Sequence, residues 1–324
     1  MAKLASAEMA EKKLATRAAF GATLAELAEE GVPVVAVDAD LTGSTTTKKF
    51  AAAASENADK LFNCGIAEQN MIDVAAGLAL TGHVAYTGSF AVFGTGRAYD
   101  QIRNTVCYSN LDVKICPTHA GVSVGPDGGS HQMLEDVSLM RGLPNMRVLV
   151  PADYAAARAA IKLAAKTPGP VYVRMGRAAV PCVYDDDVEL ELGCAYVLRE
   201  GADATVVACG VEIREALAAA DALAEEGISI EVIDAFSVKP LDEDTITASV
   251  AKTGCCVVAE EHSVHGGLGS AVAECLARKN PAPCEFVGVQ DRFGKSGEFE
   301  ELLGYFNLDA AAIVEAVKRA QGRK

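Results

Sequence analysis

An α/β fold made of two three-layer domains, each built around a mostly parallel sheet, is what this sequence predicts. Three observations carry that reading. Short apolar runs of strand length alternate with longer segments of helical period, the pattern of parallel strands joined by crossover helices. The alternation stops at 183–193 and then restarts, which divides the chain in two. The 324 residues are 50% hydrophobic, 23% charged and 6% aromatic, enough apolar material for two cores and unlike a disordered or collagen-like chain.

Taken in order, residues 6–29 are rich in Ala and Glu, with Phe20, Leu24 and Leu27 at helical spacing, and read as helix. VPVVAV (32–37) reads as a fully buried strand between Gly31 and Asp38. Residues 68–82 place Met71, Val74, Ala75 and Leu78 on one helix face. HVAYTGSF (83–90) is strand-like, a helix is expected over 95–109, and LDVKICPT (111–118) is the next strand. Helices near 131–141 and 153–166 flank the strand RVLVP (147–151), and PVYVR (170–174) follows as another strand. VYDDDVELELG (183–193) has three successive aspartates and no helical period, so it reads as the passage between domains. Past it come strands at 204–209, 228–233 and 255–259 and helices at 211–226, 267–278 and 308–321. The expected division is 1–185, a linker at 186–193, and 194–324.

Charge and composition remove several classes of function. Lys and Arg total 29 against 44 Asp and Glu, a net charge of −15 that repels nucleic acid and anionic membranes. No 18-residue apolar run exists, and MAKLASAEMAEKK has no apolar signal core, so a cytoplasmic location is expected. None of the ten cysteines forms a CxxC pair, and no spacing matches zinc or iron–sulfur sites. They read as small core residues in a reducing compartment, and no metal ligand is assigned to this chain.

In parallel sheets ligands gather beyond the carboxyl ends of the strands. The polar runs there are DADLTGS (38–44), GSFAVF (88–93), HAGVSVGPDGGSH (119–131) and RMGR (174–177). Two of the five histidines, His119 and His131, bracket a Gly-rich loop that carries Asp127. Histidine and aspartate move protons and bind hydroxyls, and Gly121, Gly125, Gly128 and Gly129 are expected to let the backbone approach a ligand. Glu68 alone reads as a carboxylate at a helix N-terminus, and Phe90 and Phe93 alone as core aromatics.

In combination these runs carry more. GIAEQNMIDVAAGLAL (65–80), SFAVF (89–93), THAGVSVGPDGGSHQ (118–132), LPNMRVLVPAD (143–153), PVYVRMGR (170–177) and DRFGKSGEFEELLGYFNLD (291–309) resemble, in this order, the second part of a transketolase. The resemblance covers essentially the whole chain, and it implies a pyrimidine-binding domain followed by a transketolase C-terminal domain. No GDG motif, which in the family holds the diphosphate and its Mg²⁺, occurs here. The resemblance therefore implies the C-terminal subunit of a split transketolase, with thiamine diphosphate as cofactor. A separate N-terminal subunit is expected to hold most of the Mg²⁺ and diphosphate site, in an α₂β₂ assembly.

Residue by residue, the resemblance makes Glu68 the carboxyl that bonds and activates the cofactor's aminopyrimidine, with burial expected to keep it protonated. Phe90 and Phe93 would pack on that ring, and Asp40 would lie near the cofactor. His131 and Asp127 would meet the donor sugar's carbonyl end and the adjacent hydroxyl, with His119 further out. Arg17, Ser44 and Arg177 would grip a sugar phosphate, for which guanidinium forks are suited. The implied reaction is transfer of a two-carbon ketol unit from a ketose phosphate to an aldose phosphate, as in the pentose phosphate pathway.

The chain departs from the pattern at Gly96, where many transketolases carry a third aromatic, for which Tyr99 is a candidate substitute. It departs again at Gln69, where His is common. GIAEQ (65–69) and RAYDQ (97–101) are locally similar to 1-deoxyxylulose-5-phosphate synthase, and the beta chain of a 2-oxo-acid dehydrogenase has similar length and architecture. These stay open as alternative enzymes, and a non-catalytic scaffold as an alternative of another class. The Gly266, Gly267 and Gly269 cluster beside His262 and His265 reads as a turn opening a helix. Asp291, Arg292 and Phe293 are expected at an interdomain contact.

Overall fold

The computed structural model describes residues 3–324. Among the described residues, fourteen strands form three sheets. In chain order they are β1 (Lys13–Ala15), β2 (Val34–Asp38), β3 (Leu61–Asn63), β4 (Val84–Thr87), β5 (Val113–Ile115), β6 (Arg147–Leu149), β7 (Val171–Val173), β8 (Ala179–Pro181), β9 (Tyr196–Arg199), β10 (Ala204–Ala208), β11 (Ile230–Asp234), β12 (Ser237–Lys239), β13 (Cys256–Ser263) and β14 (Cys284–Val289).

The seven-stranded sheet runs β12-β6-β7-β5-β4-β2-β3 and is parallel except for β12. The five-stranded sheet runs β14-β13-β10-β11-β9 and is parallel except for β9. Its strands β10 and β11 are buried along their whole lengths, including the polar Thr205, Glu231 and Asp234, as strands covered on both faces by helices must be. Two mostly parallel α/β sheets are thus present, and β12 ties the second half of the chain to an edge of the first sheet.

Chain connectivity places the site. From β2 the chain moves to β3 on one side, then returns to β4 on the other, so the topological switch point lies between β2 and β4. Gly88 lies there, just past β4. A Cβ on it would meet the Asp38 carboxylate, so only glycine allows the two strand ends to close up. That carboxylate is itself structural. It accepts from the Leu41 amide (2.8 Å) and from the Thr45 and Thr47 hydroxyls (2.7 and 2.9 Å).

Local expectations meet tertiary packing at several points. The helix expected over 6–29 is interrupted by β1, because Lys13–Ala15 pairs antiparallel with Ala179–Pro181, and pairing overrides the helix propensity of an Ala-rich stretch. The helix near 131–141 begins only at Asp136, after the Gly-Gly-Ser turn. The helix expected at 95–109 starts earlier and winds as two π-helical turns, Val92–Arg97 and Ile102–Cys107, around Tyr99–Gln101.

Buried charge joins the two halves. Arg174, 7% exposed, donates to Asp136 Oδ2 (2.8 Å) and to the Glu261 carbonyl (2.9 Å), and Tyr172 also donates to Asp136. The Glu260 carboxylate accepts from the Leu268 and Gly269 amides at 2.8 Å each, so the second-domain glycine cluster is a helix start capped from within the chain. Phe293, expected at an interdomain contact, is 92% exposed, and Arg292 instead stacks on Tyr305 and Phe306. The next residues make the contact in its place, with Gln132 Nε2 donating to the Lys295 carbonyl at 2.9 Å.

Seven of the ten cysteines are buried and all are free. Burial pushes thiols such as Cys107 and Cys182 up, each to about 11, which leaves them unreactive. Among the described residues no helix is long and apolar enough to cross a membrane.

Candidate active site at the carboxyl ends of the first sheet

The four polar runs that follow β2, β4, β5 and β7 do converge. Asp40, Ser89 and His119 stand shortly beyond β2, β4 and β5 in left-handed backbone, with φ of 63°, 77° and 63°. Non-glycine residues held there store strain, and such strain concentrates at functional sites. The Ser89 hydroxyl is buried and has no partner among the described residues.

Aromatic rings form the floor. Phe90 and Phe93 stack with centroids 6.1 Å apart and planes 15° apart. His119 lies flat on Phe90 at 3.7 Å, and His131 meets Phe93 edge-on at 5.4 Å. Glu68 opens the helix Glu68–Leu80 and is 1% exposed. Its Oε2 accepts from Arg97 Nη1 at 2.8 Å, and among the described residues no hydrogen bond reaches its Oε1. The expected burial of Glu68 is therefore present, beside a cation that the sequence reading did not include. Tyr99 is partly buried against the core cluster that includes Met71 and Ala75, and at position 96 a Cβ would point into open space.

His119 is neutral at physiological pH. Burial first, then the charges of Arg17, Arg177 and His131, push its imidazole down to about 3. Its Nδ1 lies 2.7 Å from the Thr118 hydroxyl. It offers hydrogen bonds and a flat face rather than charge.

Arg17 and Arg177 come together because β1 pairs with β8. Both border a cavity of about 290 Å³ that Ser123, Gly125, Glu298 and Phe299 also line. Desolvation and then the Arg177 charge lower the Arg17 pKa, which marks two guanidiniums facing one space without a full counter-charge. Arg17 Nη1 donates to the Ser44 carbonyl (2.9 Å) and Arg177 Nη1 to the Val124 carbonyl (2.8 Å), so both forks are oriented from behind. Asp127 and Asp40 are exposed at the rim. Arg174, from the same run as Arg177, is not at the rim and serves the interdomain network.

The loop glycines do a different job from the one expected. A Cβ on Gly121 would meet the Glu261 carboxylate, one on Gly128 the Ser296 hydroxyl, and one on Gly129 the Gly294 carbonyl at 2.6 Å. Their missing side chains admit the second half of the chain rather than a ligand. Only Gly125 faces the cavity, with Arg177 Nη1 3.5 Å from its Cβ position.

A flat aromatic floor, a sunken carboxylate with a free oxygen, a neutral imidazole and paired guanidiniums suit a flat heterocycle beside an anionic, hydroxylated substrate. Residues 12–183 match the family described as transketolase, pyrimidine binding domain, and residues 193–313 match transketolase, C-terminal domain. The chain belongs to the transketolase family. A Methanocaldococcus jannaschii protein described as a transketolase C-terminal section is 44% identical over 93% of this chain and 94% of that one. The 6-deoxy-6-sulfo-D-fructose transketolase subunit SqwH of Clostridium sp. (strain MSTE9) is 42% identical over 93% and 92%. Among solved structures, a split gene transketolase described as an inactive beta4 tetramer superposes with a TM-score of 0.87 at 48% identity, covering 96% of this chain and 99% of that one.

At this site, sequence reading missed Arg97 and Glu298. Arg97 lies four residues past Phe93 in a helical stretch, a spacing that puts a cation on the ring's face of the helix. Glu298 gave no signal, because it reaches the cavity from a distant segment.

Proposed function

We propose that this chain is the C-terminal subunit of a thiamine-diphosphate-dependent transketolase. It transfers a two-carbon ketol unit between sugar phosphates once an N-terminal subunit completes the diphosphate and Mg²⁺ site. The observation that supports this reading is a chain of neighbours: Arg17 and Arg177, which share a cavity, both act on His119, His119 stacks on Phe90, and Arg97 links Phe93 to Glu68. A phosphate at the guanidiniums would direct a row of hydroxyls along the Asp127–His131 loop toward the floor. The acyl substrates of 2-oxo-acid dehydrogenases offer no such row.

The residues fit the cofactor. Glu68 Oε1 is free to bond a ring nitrogen, and Phe90 and Phe93 offer a flat face that costs little entropy to order. Thiamine diphosphate, when bound, supplies the carbon centre that carries the ketol unit. Glu68 holds the pyrimidine ring by its nitrogen and handles the proton there. His131 orients the carbonyl end of the donor, and Asp127 reads the neighbouring hydroxyl. His119, held neutral, donates or accepts a hydrogen bond without competing for the phosphate. Asp40 borders the cofactor. The related tetramer described as inactive consists of beta chains, which supports the need for a partner here, in what we propose is an α₂β₂ assembly.

The test is reconstitution with the N-terminal section, thiamine diphosphate, Mg²⁺, xylulose 5-phosphate and ribose 5-phosphate. Sedoheptulose 7-phosphate should form with the pair and not with this chain alone. Glu68→Ala should lower turnover of the pair by at least about 100-fold, the usual worth of a positioned proton-transfer group. Full activity of the lone chain, or unchanged turnover in the variant, overturns the reading.

A further inference from the structure

Arg97 makes, inside this chain, the pair of interactions that the reading above assigns to the cofactor's pyrimidine. Its planar guanidinium lies over the Phe93 ring with Cζ 4.6 Å from the centroid, and its Nη1 donates to Glu68 Oε2 at 2.8 Å. A flat, nitrogen-rich group stacked on that ring and bonded to that carboxylate stands where a flat heterocycle would stand. We infer that Arg97 is a built-in plug: it occupies the pyrimidine position in the unloaded chain and must swing out when the cofactor enters. The inference rests on the proposed roles of Glu68 and Phe93.

Local structure explains how the side chain gets there and how it can leave. Residues Val92–Arg97 form a π-helical turn containing Gly94 and Gly96. Such wide turns re-aim the side chains that follow, and they recur at functional sites. At position 96 a Cβ would find nothing within 4 Å, so the space beside Arg97 is open for it to move into. The two partners are also unequal. The Arg97 side chain is 49% exposed, whereas that of Glu68 is 1% exposed. The guanidinium can exchange its contacts for water, and the carboxylate cannot.

The plug has a reason to exist. Among the described residues Arg97 is the only hydrogen-bond partner of Glu68, and a buried carboxylate left unpaired is costly. A free chain that has met neither cofactor nor partner keeps this acid satisfied with its own residue. The consequence follows from linkage: an interaction made only in the unloaded state is subtracted from binding, so the plug weakens apparent cofactor affinity. For a half-exposed ion pair combined with a cation–π contact the penalty is about three- to tenfold.

The experiment is a calorimetric titration of thiamine diphosphate, at saturating Mg²⁺, into the reconstituted complex. Arg97→Gln should bind the cofactor about three- to tenfold more tightly than wild type. Arg97→Lys, which keeps the charge but loses the flat stacked fork, should shift the same way by less, and it serves if the glutamine variant folds poorly. In the isolated chain, Arg97→Gln should also melt below wild type, and adding Glu68→Gln should restore much of that loss. Weaker or unchanged cofactor binding in both Arg97 variants overturns the plug and leaves Arg97 as a residue that supports Glu68 in the loaded site. Glu68→Gln separates the two readings. If it weakens cofactor binding while the Arg97 variants do not tighten it, only the plug falls. If it leaves binding unchanged, the role of Glu68 falls and the plug with it.

Discussion

Replacing Asp234 by asparagine should flatten much of this protein's loss of stability between pH 5 and pH 8. Asp234 ends β11 at the junction of the two halves and is fully buried. Its Oδ2 accepts from the Tyr184 hydroxyl at 2.7 Å, while its Oδ1 has no partner among the described residues. Burial, opposed by that hydrogen bond and reinforced by Asp153, raises its carboxyl from 3.8 to about 7. Between those values the folded chain holds a proton that the unfolded chain has released. Stability contributed by the protonated group is therefore complete below about pH 4, falls as the pH rises through the window, and is gone above about pH 7. The window is about three pH units wide, about two of which lie between pH 5 and pH 8, which at about 1.4 kcal/mol per unit makes roughly 3 kcal/mol.

Asparagine keeps the volume, its carbonyl can still accept from Tyr184, and it cannot ionise. Urea denaturation at fixed protein concentration should find variant and wild type most alike below about pH 4. Between pH 5 and pH 8 the variant's advantage should grow by roughly 3 kcal/mol. Burial also raises Asp153, Glu212 and Glu261, so the variant should retain part of the slope. An equal difference between the two proteins at both pH values would refute the reasoning, because no titration at Asp234 would then be coupled to folding.

Arg177→Lys should raise KM for a phosphorylated donor by about tenfold with little change in kcat, since a lone ammonium replaces one fork of the cavity while Glu68 and His131 are untouched; initial-rate kinetics of the reconstituted pair check it, and an unchanged KM removes Arg177 from the phosphate site. Gly129→Ala should destabilise the chain by about 1–3 kcal/mol and raise KM for the donor, because its Cβ would stand 2.6 Å from the Gly294 carbonyl and push the His131 loop aside. Denaturation and kinetics measured together check this, and a variant stable as wild type would mean that the loop yields freely.

The fold class was legible because its signal is periodic. Buried runs such as 34–38 and 204–208 are apolar but for Asp38 and Thr205, and the helices between them show one apolar face. What was not legible depended on partners distant in sequence. Lys13–Ala15 is a strand only because Ala179–Pro181 lies beside it, and β12 joins the first sheet from residues that read as part of the second. Helices Thr42–Thr45, Thr47–Ala53 and Ser55–Ala58 carry no continuous apolar stripe, so nothing local announced them. At the site, the polar runs that follow the strand ends come together in the fold. Their neighbours were hidden: Glu68 pairs with Arg97, His119 stacks on Phe90, and Glu298 lines the same cavity as Arg17 and Arg177.

The second half of the chain contributes few groups to the rim, yet the site depends on it. The segment that bears His131 is held by Gln132 on the Lys295 carbonyl and by glycines that admit Ser296 and Gly294 at close range. Further in, Arg174 clamps Asp136 of the first half to the Glu261 backbone of the second. A buried cation that loses its carboxylate costs about 3–5 kcal/mol, so this clamp opposes sliding of one half against the other. Catalytic constellations lose rate steeply when groups move by as little as 1 Å. The loop glycines thus act on the rim indirectly: they let Glu261 and the segment bearing Gly294 and Ser296 pack closely against the histidine loop, which fixes that loop beside the phenylalanine floor.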